Sequence, residues 1–181
     1  DPEYSAYLRA YGEISRKAIF SYQDMAVYEA VRHLSIVKED PLSTEKEISQ
    51  AQSLLDATVE AVTFASEATY MARMNWWTVE YGLVGSLEDP KIYGAGLLSS
   101  LGESYHCLGA KVAHPPLSLE CVKTTYDITK PQPQLFVAND FQHLTKVLQE
   151  FAGRMAYRTG GKAAVEKAIQ LQAGGSPARA P

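Results

Sequence analysis

Ala72-Arg73-Met74-Asn75-Trp76-Trp77-Thr78-Val79-Glu80-Tyr81-Gly82-Leu83 is the most informative stretch of this chain. Ala72, Trp76 and Glu80 are spaced i, i+4 and i+8, so on an α-helix they share one face. A small residue, a large aromatic and a carboxylate then point the same way from one rigid element. Spacing alone also fits a plainer arrangement, with Trp76 and Trp77 in the core and Glu80 solvated or ion-paired, because aromatic stripes on helices usually mark the core.

Upstream of this stretch the pattern is helical. Tyr4, Tyr7, Leu8, Tyr11 and Ile14 recur at helical spacing within residues 3–37. Ser21-Tyr22-Gln23-Asp24 marks a break, and Lys38-Glu39-Asp40-Pro41-Leu42-Ser43 a linker. Thr44-Glu45-Lys46-Glu47 fits a capping box. It predicts a long helix running to about Leu83, with Ile48, Leu55, Val59, Val62 and Ala65 facing inward. Downstream, Ser86-Leu87-Glu88-Asp89-Pro90 predicts a turn between Val84 and Lys91-Ile92-Tyr93 in a hairpin. A short helix is expected over 100–108, with strands at Tyr126-Asp127-Ile128-Thr129 and Gln134-Leu135-Phe136-Val137. Asp140 is a suitable N-cap for a helix carrying Phe141, Leu144, Leu148 and Phe151. A last helix over 162–171 and a flexible tail at Gly174–Arg179 complete the pattern. The fold class is therefore mainly α with a few short β-strands (α+β).

Composition narrows the function classes. The 181 residues suit one domain better than two. A net charge of −4 with scattered Lys and Arg gives no footprint for nucleic acid. No apolar run approaches a membrane span. Cys107 and Cys121 match no zinc or redox spacing and suit buried positions in a reducing, cytoplasmic setting. The chain opens Asp1-Pro2-Glu3 without an initiator methionine, which suggests an internal starting point.

Three ordered segments carry a family resemblance. Asn75–Leu83 resembles a helix of the biopterin-dependent aromatic amino acid hydroxylases. Tyr93-Gly94-Ala95-Gly96-Leu97-Leu98-Ser99-Ser100-Leu101-Gly102-Glu103 resembles a loop that follows it. Pro133-Gln134-Leu135-Phe136-Val137-Ala138 is a weaker third match, and the resemblance covers about residues 70–152. It implies the catalytic-domain fold of that family, truncated at its N-terminus. Residues 1–158 would be the C-terminal part of the domain, enlarged by helices at about 15–70, and 159–181 a short helix and tail.

The resemblance also implies a chemistry. These enzymes hold non-haem Fe(II) with two His and one carboxylate, and use oxygen and tetrahydrobiopterin to hydroxylate an aromatic amino acid. Phenylalanine, the family's most frequent substrate, is the expected one. By the match, Glu80 is the metal ligand, Trp76, Gly96, Ser99 and Glu103 belong to the amino-acid site, and Ala72 and Asn75 lie at the pterin edge. Asn75 departs from the family, which commonly has an aromatic there. The two His ligands are expected upstream of Asp1, since none of His33, His106, His114 and His143 has their spacing. The chain alone should therefore be inactive, and helices exposed by truncation should self-associate. The alternative is a non-catalytic relative that serves as a binding or assembly module.

Overall fold

A computed structural model describes residues 1–128, 130–161, 166 and 169–170. It divides into two compact units. Of the described residues, one unit comprises those of Asp1–Ala18 with Tyr70–Thr159, and the other those of Ile19–Thr69 with those from Gly160 onward.

The first unit opens on α1, Pro2–Ser15. Asp1 Oδ1 accepts from the amides of Glu3 (2.8 Å) and Tyr4 (3.0 Å), while Pro2 occupies a position where no amide hydrogen is needed. Tyr7 and Ile14, two turns apart, are buried. Here α1 packs on α8, Phe141–Ala152. Asp140 caps α8 by accepting from the His143 amide, and Leu144, Val147, Leu148, Phe151 and Ala152 form its buried stripe. The capping residue and the apolar face both match expectation.

A three-stranded sheet lies in the same unit, with β1 (Leu83–Gly85) in the middle between β2 (Pro90–Ile92) and β3 (Val137–Ala138). The hairpin forms as expected, with β1 antiparallel to β2. Gly85 has φ +115°, a conformation side chains strongly disfavour, and lets β1 turn into the loop. β3 is shorter than anticipated, Val137–Ala138, and runs parallel to β1 with Val137 opposite Leu83. Tyr126–Ile128 is not a strand, and Thr129 lies outside the described residues. The helix expected over 100–108 is two short ones, α5 (Ala95–Ser99) and α6 (Leu101–His106). Between α6 and β3 lies the single turn α7, Glu120–Lys123, and after α8 comes α9, Ala156–Thr159. The helix expected at 162–171 falls largely outside the described residues, and the tail at 174–179 wholly so.

Trp77 anchors the core of this unit at 1% exposure, and its indole N–H donates to the Thr124 carbonyl at 2.9 Å. Burying one such side chain is worth roughly 1.5–3 kcal/mol. Cys107 and Cys121 are free and buried, and burial pushes the Cys121 thiol up to about 12. They behave as small core residues, as anticipated.

The second unit is built on α2 (Tyr22–Glu39) packed against α3 (Glu45–Glu60). Both start on capping boxes, Ser21 with Asp24 and Thr44 with Glu47. The long helix expected from Glu45 to Leu83 is interrupted between Glu60 and Glu67. Gln23 Nε2 donates to Thr63 Oγ1 (3.0 Å), and the Thr63 amide donates to Gln23 Oε1 (3.2 Å), holding the chain extended. Ser66 Oγ then accepts from the Thr69 amide (3.0 Å) as α4, Glu67–Asn75, begins. Of α3 only Ala51 is buried, and Val59 is exposed. Ile48 and Leu55 lie half-buried on the same side as Ala51, so the inward face expected there forms in part, and Val59 and Val62 fall off it because a two-helix pair covers just one narrow stripe. Among the described residues no helix is long and apolar enough to cross a membrane.

Candidate functional site

The α-helical stripe Ala72–Trp76–Glu80 does not continue as the spacing suggests. After Asn75 the chain winds as a π turn, Trp76–Glu80, closed by the Tyr81 amide donating to the Trp76 carbonyl at 2.8 Å. One extra residue per turn moves Glu80 off the α-helical line through Ala72 and Trp76, and such turns often mark functional positions. Thr78 sits inside it. Its hydroxyl donates to the Met74 carbonyl (2.6 Å), the kind of back-bond that bends a helix. Having given up its one hydrogen, Thr78 Oγ1 accepts from the Tyr7 hydroxyl at 2.7 Å.

Glu80 is half-buried at the end of the π turn, and the Gly94–Ser99 segment lies against it. A Cβ on Gly96 would stand 2.9 Å from Tyr81 Cε2, 3.1 Å from the Glu80 carbonyl oxygen and 3.4 Å from Glu80 Oε2. A Cβ on Gly94 would meet the Glu80 carbonyl oxygen and lie 2.6 Å from the Gly82 nitrogen. Both glycines therefore allow an approach that a side chain would block.

The phenols beside Glu80 feel its charge. Burial, then the negative charges of Glu103 and Glu80, raise the Tyr81 phenol above its ordinary value. Burial, then Glu80, does the same to Tyr4. Tyr4 packs on Tyr93 and Phe141, with ring centres 5.3 and 5.1 Å away. Gly96 thus lies against Glu80 and Tyr81, while Glu103 acts on Tyr81 through its charge. Ser99 is exposed and donates its hydroxyl to the Gly96 carbonyl (3.0 Å), which closes α5. Ala72 is exposed on α4, and Asn75 is half-buried at its end.

Trp76 lies between two rings. Tyr126 stacks on one face (4.3 Å, 6°) and Tyr81 on the other (4.4 Å, 21°). An aromatic wall for an amino acid would need a free face, and here both are covered. Its indole nitrogen is buried without a hydrogen-bond partner among the described residues, as is the Tyr93 hydroxyl. A cavity of about 610 Å³ opens beside this stack, lined by Trp77, Tyr126, Asp127, Lys130, Pro131 and Gln132 among others.

Sequence reasoning did not place Tyr4, Tyr81, Tyr93 or Tyr126 at this site. Tyr81 stood inside the diagnostic stretch, and Tyr4 began the helical stripe of α1. Tyr126 carried no local signal beyond a tendency to form strand.

The described residues do not complete an iron site. Among the described residues no group of three or more His, Cys, Asp or Glu could hold a metal ion. His114 Nε2 bonds the Cys107 carbonyl (2.7 Å), and His143 Nδ1 accepts from the Asn139 amide (3.2 Å). His33 on α2 and His106 at the end of α6 are exposed. Glu80 alone cannot impose the facial geometry of a two-histidine, one-carboxylate centre. Ala72 and Asn75 supply a methyl group and an amide, too little to enclose a pterin.

Comparison with known proteins bears on this site. The family model of the biopterin-dependent aromatic amino acid hydroxylases matches residues 15–160. Phenylalanine-4-hydroxylase of Bos taurus is 42% identical over 83 residues, 45% of this chain and 18% of that protein. The enzyme of Pseudomonas aeruginosa is 38% identical over 85 residues, 46% of this chain and 32% of that protein. A crystal structure of Chromobacterium violaceum phenylalanine hydroxylase, with bound iron(III) and oxidised 7,8-dihydrobiopterin, superposes with a TM-score of 0.45 at 30% identity, over 59% of this chain and 40% of that one. The matched part is under a third of the length of either curated relative. With most of its length matched by that family's model, the chain belongs to the biopterin-dependent aromatic amino acid hydroxylases.

Proposed function

We propose that this chain supplies the carboxylate side of a non-haem iron, tetrahydrobiopterin-dependent monooxygenase site that hydroxylates phenylalanine to tyrosine. The observation that carries the reading is Glu80 at the end of a π turn, with the glycine-bearing loop at Gly96 laid against its carboxylate. In this reading Glu80 is the anionic metal ligand. Gly96 admits the amino acid close to the backbone, Ser99 offers it a hydroxyl, and Glu103 supports the loop through Tyr81. Trp76 borders the amino-acid site with the edge of its ring unless one stacked tyrosine moves, and Ala72 and Asn75 lie toward the pterin. The two imidazole ligands come from outside these 181 residues, O2 is the co-substrate, and the cytoplasm is the setting.

Metal analysis tests the ligand set. The purified 181-residue chain is expected to carry far less than stoichiometric iron and to form no tyrosine. Stoichiometric iron would overturn the assignment of Glu80 as a lone ligand. The complete reading frame is expected to carry two histidines five positions apart, in a His-Glu-x-x-x-His segment, ahead of Asp1.

The two covered faces of Trp76 favour a second reading, a family member that keeps the fold as a binding or assembly module. A frame without the paired histidines, together with no calorimetric response to phenylalanine or a reduced pterin, would select it.

A further inference from the structure

The second unit carries a helix face that the hydroxylase reading does not use. On α2 the residues Tyr22, Met25, Glu29, Arg32 and Ile36 follow a three-four-three-four spacing, which sets them in one line along the helix. That line lies opposite the stripe of Ala30 and Leu34, which α2 buries in its own unit. All five residues are exposed, with Tyr22 at 60%, Met25 at 48% and Ile36 at 56%. Phe20 and Tyr28 flank them, each 61% exposed. Exposed apolar groups this dense on one helix mark a contact surface.

The charges say which occupant fits. Glu29 and Arg32 sit at the middle of the line, and among the described residues neither joins an ion pair. We infer that α2 pairs with α2 of a second copy of this chain, antiparallel, about a two-fold axis crossing between Ala30 and Val31. Glu29 then faces Arg32 of the second copy, and Arg32 faces its Glu29. Met25 lies over Ile36 on each side of the charged centre, and Tyr22 falls opposite Glu39. The surface is complementary to itself, as a two-fold interface requires. A parallel, in-register pairing would set Glu29 on Glu29 and Arg32 on Arg32, so the charges select the antiparallel orientation. This inference does not rest on the hydroxylase reading, because no residue of the Glu80 site takes part.

Sedimentation equilibrium of the full 181-residue chain over a range of concentrations tests it. A reversible monomer–dimer equilibrium is expected. Glu29→Arg and Arg32→Glu, each checked for unchanged helix content by circular dichroism, should weaken association at least ~10-fold, since each places two like-charged pairs at the centre. Mixed in equal amounts, the two variants should form a heterodimer as tight as the wild-type dimer, because every central pair is opposite again. A monomer at all concentrations overturns the proposal and leaves the face to another partner or to none. A dimer indifferent to both substitutions, or variants that fail to rescue each other, overturns the pairing of these helices.

Discussion

The Tyr7 hydroxyl donates to Thr78 Oγ1 at 2.7 Å, fastening α1 to the π turn that ends on Glu80. Both residues are buried, and the two positions stand 71 residues apart in the chain. Thr78 is also the donor to Met74, so one hydroxyl shapes the turn and anchors it.

Removing either partner should have unequal effects. Thr78→Val strands the Tyr7 hydroxyl without its acceptor, which costs about 1–3 kcal/mol for a buried donor. Tyr7→Phe leaves Thr78 still bonded to Met74 and should cost only about 0.5–1.5 kcal/mol. Urea unfolding of the two variants measures the difference. Equal losses would mean that the Tyr7 hydroxyl has another partner, such as a buried water.

Gly94 and Gly96 should also differ when changed to alanine. At Gly94 the new methyl group meets backbone, the Glu80 carbonyl and the Gly82 nitrogen, which cannot swing aside. At Gly96 its nearest neighbour is the edge of the Tyr81 ring, which can shift by a few tenths of an ångström. Overpacking costs roughly 1–3 kcal/mol, with Gly94→Ala expected at the upper end and Gly96→Ala at the lower. Gly96→Ala should in addition change the near-ultraviolet circular dichroism, because Tyr81 stacks on Trp76. A spectrum identical to wild type would show that Tyr81 does not respond to Gly96.

What was legible in the sequence follows from how local its causes are. The starts of α3 and α8 were readable because Thr44 with Glu47, and Asp140 with the His143 amide, act within one turn. The hairpin at Ser86–Pro90 was readable for the same reason. The interruption after α3 was not, because Gln23, forty positions away from Thr63, holds that segment extended. Ser66, which caps the next helix, looks in the sequence like any mid-helix serine. The π turn was equally hidden, since a back-bonding Thr78 and a distant Tyr7 produce no periodic signal. The motif around Glu80 and the loop at Gly96 were visible as a resemblance, while the covering of Trp76 by Tyr126 depended on tertiary folding alone.

That covering can be tested by emission. Tyr126 also meets Trp77 edge-on, at 6.2 Å and 90°, so the emission is read in a Trp77→Phe background, where Trp76 is the one tryptophan left. Tyr126→Ala should red-shift the emission, increase quenching by acrylamide, and cost about 0.5–1.5 kcal/mol for the lost stacked pair on top of the apolar burial it gives up. Emission and quenching unchanged from that background would mean that Tyr126 does not cover the indole in solution.

Asp24 gives the second unit a pH dependence with a definite sign. Burial acts to raise its carboxyl pKa, but hydrogen bonds from Ser66, from the Ser21 amide and hydroxyl, and from Thr69 outweigh it and hold the group below its ordinary value. Two of these contacts measure 2.6 Å from the Ser21 amide and 2.9 Å from the Thr69 hydroxyl. A carboxyl depressed in the folded state stabilises the fold above the unfolded pKa, about 3.9. That stabilisation is lost as pH falls through the lower, folded value, because the unfolded chain takes up the proton first. Asp24→Asn keeps the shape of the side chain and removes the titration. Wild-type stability should therefore fall more steeply than that of Asp24→Asn on acidification below about pH 4, and the two should respond alike between neutrality and pH ~6. Parallel curves throughout would show that Asp24 titrates as it does in an unfolded chain, and that the serine and threonine hydroxyls around it point elsewhere.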